Sequence, residues 1–190
     1  MLFGSVYSHG WVGDQLAGSI WIEETGERPC SLYATSSITC KKYLTDQFSS
    51  EMLDLDLTYP EGIACVSGSS DSDYYAFGTD GGSVAVIDTS SMGGNIEWQK
   101  NIGNAVTDLD FNGAGTYLVA GTNNKRVVLA KVANGDELWR TTASGAVTGV
   151  AMSYRGENIV VGTDVGLAIY YELQLDNQAP IATIESITPV

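Results

Sequence analysis

The feature that most constrains this chain is a repeat of about 42 residues. Gly78-Thr79-Asp80 returns as Gly121-Thr122-Asn123 and again as Gly162-Thr163-Asp164, at spacings of 43 and 41. Ala105-Val106-Thr107-Asp108 returns as Ala146-Val147-Thr148-Gly149, and Trp98 returns as Trp139, each 41 residues on. Different anchors give one period, and a fixed period of roughly 20 to 50 residues dictates an architecture of repeated, mutually stacked units. The two additional residues of the first interval fall in the turn at 89–94, where insertion costs little.

Each unit is punctuated in the same way. From residue 105 it reads AVTDLDF, NGAG, TYLVAGT, NNK, RVVLAKV, ANGD and ELWRTT: four β-branched and aromatic segments separated by Gly, Asn and Asp. That is the pattern of four short strands joined by tight turns. The following unit repeats it as AVTGVAMS, NIVVGT and LAIYYEL. In the preceding unit MLDLDLT, at 52–58, is expected to be the first strand, followed by an expanded loop ending at 67–73 and then by YYAFGT and SVAVID. Upstream, SIWIEE and CSLYATS read as the outer hairpin of a degenerate first unit. No segment sustains a helical period, so the fold class is all-β.

A four-stranded sheet that is apolar on both faces must stack against neighbours, and such sheets come as radial arrays. The units resemble blades of the PQQ-like and WD-repeat β-propeller families of archaeal or bacterial type. The resemblance covers roughly 50–175, and 15–175 if the early hairpin is counted. Its PQQ-like part is Gly135-Asp136-Glu137-Leu138-Trp139, the blade tail whose tryptophan in that family packs on the adjacent blade. The Trp-Asp dipeptide of WD repeats is missing from the strand ends, which read Val86-Ile87-Asp88, Ala130-Lys131-Val132 and Tyr170-Tyr171-Glu172. The resemblance implies a β-propeller of about four four-stranded blades over 1–175. That is a small ring, a part of a larger one, or half of a ring that a homodimer completes. Residues 176–190, with Pro180 and Pro189, read either as a linker to a following domain or as a closing strand at 181–187 that pairs with the first blade.

Charge narrows the partners. Lys and Arg number 9 against 23 Asp and Glu, a net charge of −14, although only 17% of residues are charged. Residues 1–99 carry −11 of this and 100–190 the remaining −3, with no base between Lys42 and Lys100. A field of that sign repels phosphate backbones and anionic lipid, which disfavours nucleic acid and membrane surfaces. No apolar run approaches the roughly 18 to 20 residues that span a bilayer, and the first residues lack the basic and apolar regions of a signal peptide. Cys30, Cys40 and Cys65 form no C-x-x-C pair and His9 is the single histidine, so zinc and redox spacings are absent. The cysteines read as core hydrophobes, either as reduced thiols in a cytosolic setting or with a Cys30–Cys40 bridge in an exported protein.

Few residues carry chemistry. Asp71 and Asp73 lie in the polar loop SGSSDSD, where carboxylates either wrap a calcium ion or form turns. Asp54/Asp56 and Asp108/Asp110 are i, i+2 pairs, each on one face of a strand. They are expected at equivalent places in the first strands of successive blades, as carboxylates lining a channel that could bind cations, with Gly149 and Ala151 interrupting the ring. Tyr7, His9 and Trp11 form an aromatic cluster suited to stacking on a sugar ring. No G-x-S-x-G elbow accompanies His9, and no catalytic residue is assigned. The expected function is a non-enzymatic protein- or glycan-binding or scaffolding module, with no cofactor beyond calcium, in an extracellular or cell-surface protein. The alternative is a fragment of a propeller enzyme, a quinoprotein-like dehydrogenase or a hydrolase.

Overall fold

The computed structural model describes residues 16–21, 30–34, 37–44, 47–58, 61–70, 73–90, 95–173 and 183–187. Four antiparallel sheets of four strands account for them. The first holds β1 (Leu16–Trp21), β2 (Cys30–Ala34), β3 (Ser37–Leu44) and β4 (Gln47–Thr58). In the second are β5 (Ile63–Gly68), β6 (Tyr74–Thr79), β7 (Ser83–Asp88) and β8 (Asn95–Asn101). The third is β9 (Val106–Phe111), β10 (Tyr117–Thr122), β11 (Arg126–Lys131) and β12 (Glu137–Thr142). The fourth is β13 (Val147–Met152), β14 (Asn158–Thr163), β15 (Ala168–Glu172) and β16 (Thr183–Ile187). Every sheet is a meander whose strands lie in chain order.

The sheets stack through their first strands: β5 lies against β1, β9 against β5, and β13 against β9. Two apolar layers result. Ala76, Val84 and Val86 of the second sheet meet Leu118, Ala120 and Val128 of the third. Val119, Val127 and Leu129, on the opposite face of the third sheet, meet Ile159, Val161 and Ile169 of the fourth. The third sheet is therefore buried on both faces, which is why β10 and β11 read as nearly continuous apolar runs instead of alternating.

The recurring Gly-Thr-Asp/Asn has a use for each residue. The threonine hydroxyl holds the following hairpin: Thr79, Thr122 and Thr163 Oγ1 accept the N–H of Ser83, Arg126 and Leu167 at 2.9, 3.0 and 3.3 Å. The third residue ties the hairpin to the start of its sheet, since the N–H groups of Asp80, Asn123 and Asp164 donate to the carbonyls of Gly62, Ala105 and Ala146. The glycine makes room for the next sheet. A Cβ on Gly78 would stand 2.5 Å from Val106 Cγ1, and one on Gly121 would collide with Val147. At Gly162 the nearest side-chain atom is Thr148 Oγ1 of its own sheet, at 3.4 Å. The tight turn after each motif needs a left-handed residue, filled by Gly82 (φ 89°), Lys125 (φ 74°) and Gly166 (φ 77°).

Two placements differ from the sequence expectation. The residues 52–58 do not begin the second sheet but lie within β4, the outer strand of the first. The second sheet begins instead at Ile63, inside what read as an expanded loop. Its register is that of the later units: Ile63 pairs with Thr79 as Val106 pairs with Thr122 and Val147 with Thr163. The alternation of Asp and Leu in β4 imitates VTDLDF, whereas IACVSG has lost the acidic residues and kept only the β-branched start and the apolar spacing. At the other end, β16 pairs with β15, Ala168 opposite Ile187 and Glu172 opposite Thr183, and so forms the outer strand of its own sheet instead of a clasp on the first.

Candidate functional site

Of the four carboxylates expected to line a channel, Asp108 and Asp110 have described side chains. Both reach across to the neighbouring sheet, where Asp108 Oδ2 accepts the N–H of Val150 at 2.8 Å and Asp110 Oδ2 that of Met152 at 2.7 Å. They thus satisfy backbone donors on the edge of β13 that pairs with no strand among the described residues. Burial raises the pKa of both. For Asp108 the hydrogen bonds from Val150 and Leu109 oppose it. Asp110 is pushed up to about 6, chiefly by burial and also by Asp108, against the bond from Met152.

Asp54 and Asp56 are not their equivalents. They sit on β4, opposite Lys41 and Thr39 of β3. The positions equivalent to Asp108 and Asp110 in the second sheet are Cys65 and Ser67, and Cys65 Sγ faces the Val106 carbonyl at 3.8 Å. Burial first, then Asp108, pushes that thiol up to about 12, so it is an un-ionised apolar filler at neutral pH. Asp71 lies outside the described residues, as do Tyr7, His9 and Trp11. Asp73 offers its carbonyl to the N–H and hydroxyl of Thr89, at 2.7 and 3.1 Å. Among the described residues, no group of three or more His, Cys, Asp and Glu is placed to hold a metal ion.

The tryptophans of the two blade tails both pack on the following sheet. Trp139 meets Tyr171 edge-on, with centroids 5.0 Å apart and the rings inclined at 65°. Trp98 Nε1 donates to the Val132 carbonyl at 2.6 Å, and its ring lies over Gly135, where a Cβ would come within 2.6 Å of it.

Beside Trp98 the second and third sheets do not close. A groove of about 320 Å³ remains between them, floored by Leu118, Ala120, Val128 and Ala130. Charged side chains stand at its mouth. Lys100 Nζ donates to the Gly135 carbonyl at 2.5 Å and lies 3.9 Å from Asp136, while Arg140 is paired with Glu137. A concave apolar floor with a few polar groups at the rim is the usual form of a ligand site. Sequence reading assigned no role to these residues. The signal was in the repeat: Ala120 and Ala130 stand where the next unit has Val161 and Tyr171.

Four meander sheets stacked through their first strands are the architecture of a β-propeller. No family model and no curated protein matches the sequence. Many solved structures share its fold. One is the β-propeller domain of Cps50 (Swd1) from Myceliophteria thermophila, with a TM-score of 0.70 and 10% identity over 88% of this chain. The match spans 56% of that domain, so the chain corresponds to rather more than half of its length.

Proposed function

We propose that the chain is a non-enzymatic protein-binding and scaffolding sector of a β-propeller, working through the groove between its second and third sheets. The observation that carries this reading is the groove itself, an apolar recess of about 320 Å³ with Lys100, Glu137 and Arg140 at its mouth. Trp98 spends its N–H on Val132 and lays part of its ring on Gly135, and the edge of β8 beside it, which pairs with no strand among the described residues, favours a protein over a glycan. The Cps50 propeller domain supports the fold on which such a site would rest. The packing of Trp98 and Trp139 on the following sheets supports kinship with PQQ-like blades. Completion of the ring by a second copy belongs to the same proposal.

The test is site-specific photocrosslinking in extracts of the source organism, with a benzophenone side chain at Glu137 on the groove mouth and, as control, at Arg155 in a distant turn. A discrete protein adduct is expected from Glu137 and none from Arg155. Specific glycan binding without a protein adduct, or equal labelling from both positions, overturns the reading.

A further inference from the structure

The groove is a departure from the repeat, and the repeat says what is missing. Adding 41 to each floor residue gives its counterpart at the next junction: Leu118 becomes Ile159, Ala120 becomes Val161, Val128 becomes Ile169 and Ala130 becomes Tyr171. Three of the four are larger at the second junction, and the largest change is the aromatic ring of Tyr171. There the ring is 1% exposed and stands edge-on to Trp139, the counterpart of Trp98. The same wall therefore meets a ring at one junction and a void at the other.

We infer that the groove beside Trp98 is a socket for an aromatic ring, and that its occupant is a tyrosine side chain of a protein partner. The ring would take the place that Tyr171 takes beside Trp139, in the edge-to-face geometry that aromatic pairs prefer. The para substituent has a partner as well. At the filled junction Thr141 is the polar neighbour of the Tyr171 hydroxyl, opposing the burial that raises its pKa. The residue 41 positions earlier is Lys100, whose ammonium already donates to Gly135 O at the groove mouth and has further protons to offer a phenol oxygen. An aliphatic ring of equal volume, even with a hydroxyl for Lys100, would fill the floor without the edge-to-face contact to Trp98.

The protein source follows from the setting. The groove opens beside β8, the outer strand of its sheet, whose far edge pairs with no strand among the described residues. Six of the seven β8 residues are exposed, so an extended segment can lie along it while one side chain turns inward. This source rests on the protein-binding reading above, whereas the aromatic socket does not.

The experiment follows the Trp98 indole N–H by NMR on the full chain during titration with p-cresol, cyclohexanol and the peptide acetyl-Gly-Tyr-Gly-amide. Saturable shifts at Trp98 and none at Trp139 are expected with p-cresol, with a dissociation constant on the order of 1 mM for so small a ligand. Cyclohexanol should bind at least about fivefold more weakly and the peptide at least about threefold more tightly, since only the peptide also engages the rim and strand edge. Ala130→Tyr rebuilds the filled junction and should weaken p-cresol at least about tenfold, with Ala130→Leu as a milder block where the larger residue disturbs folding. No saturable shift at Trp98, equal binding of cyclohexanol, or p-cresol binding that survives both substitutions overturns the socket. A peptide no tighter than p-cresol overturns the protein source alone.

Discussion

Gly121 and Gly162 occupy the same place in two units and have different surroundings. At Gly121 the following sheet presses Val147 onto the Cα, and at Gly162 only its own sheet is near. Gly121→Ala is therefore expected to destabilise the chain by about 1 to 3 kcal/mol through overpacking. Gly162→Ala should cost well under 1 kcal/mol at concentrations where the chain is monomeric. Chemical denaturation of the two variants side by side checks this, and equal losses would deny the close approach a role at Gly121. Asp110 supplies a pH dependence whose sign is fixed. Its native pKa of about 6 lies above the ordinary carboxylate value, so the folded chain binds the extra proton between roughly pH 4 and 6. The stability this contributes is fully present below the unfolded value and is lost as pH rises through 6. Asp110→Asn removes the titration and keeps an oxygen for the Met152 N–H. The variant should show a flatter stability profile over that window and equal or greater stability at pH 7. A profile identical to that of the parent chain would show that Asp110 titrates normally.

At the scale of the strand, the later units were legible because local chemistry and packing agree there. In TYLVAGT and RVVLAKV the apolar run, the Thr cap and the turn glycine or asparagine all point to one hairpin, and β10 and β11 fall within those segments. The second unit was legible only from β6 onward. Its first strand, Ile63–Gly68, has a thiol and a serine at the positions where the third sheet uses Asp108 and Asp110 to reach the next sheet. The acidic alternation that marks an inner strand at 106–111 had no counterpart there, and the nearby Asp54/Asp56 pair drew the assignment to β4. The groove was hidden for a different reason. Ala120 and Ala130 are unremarkable in a strand, and a void becomes visible only when the unit is laid over the one that fills it. The inter-sheet use of Asp108 and Asp110 was equally out of reach, because i, i+2 spacing says which face a pair shares and not what lies opposite.

At the scale of the molecule, the stack ends on a face built like an interface. Ala76 and Val119 are 1% and 0% exposed because the next sheet covers them, whereas Val160, at the same repeat position in the fourth sheet, is 43% exposed. Continuity with the two buried junctions favours another sheet as its cover. In our proposal a second copy supplies it head to tail, closing a ring of eight sheets. Sedimentation equilibrium should then give twice the 20.2 kDa of the chain, and Val160→Asp should return it to one copy while leaving its circular dichroism unchanged. A parent chain that stays at 20.2 kDa at tens of micromolar would end the dimer proposal. Each copy would bring its own −14, so assembly should strengthen with added salt.

The glycine and valine that join one sheet to the next also make the units interchangeable along the chain. Gly78 is shaped to receive Val106, and Gly121 to receive Val147, by the same contact. Removing residues 105–145 as one block would bring Gly78 against Val147 with the joint already formed. Gain or loss of a whole unit in the gene would therefore keep the glycine–valine seam, while the groups beside it change, since Cys65 and Ser67 would face the strand edge that Asp108 and Asp110 now serve.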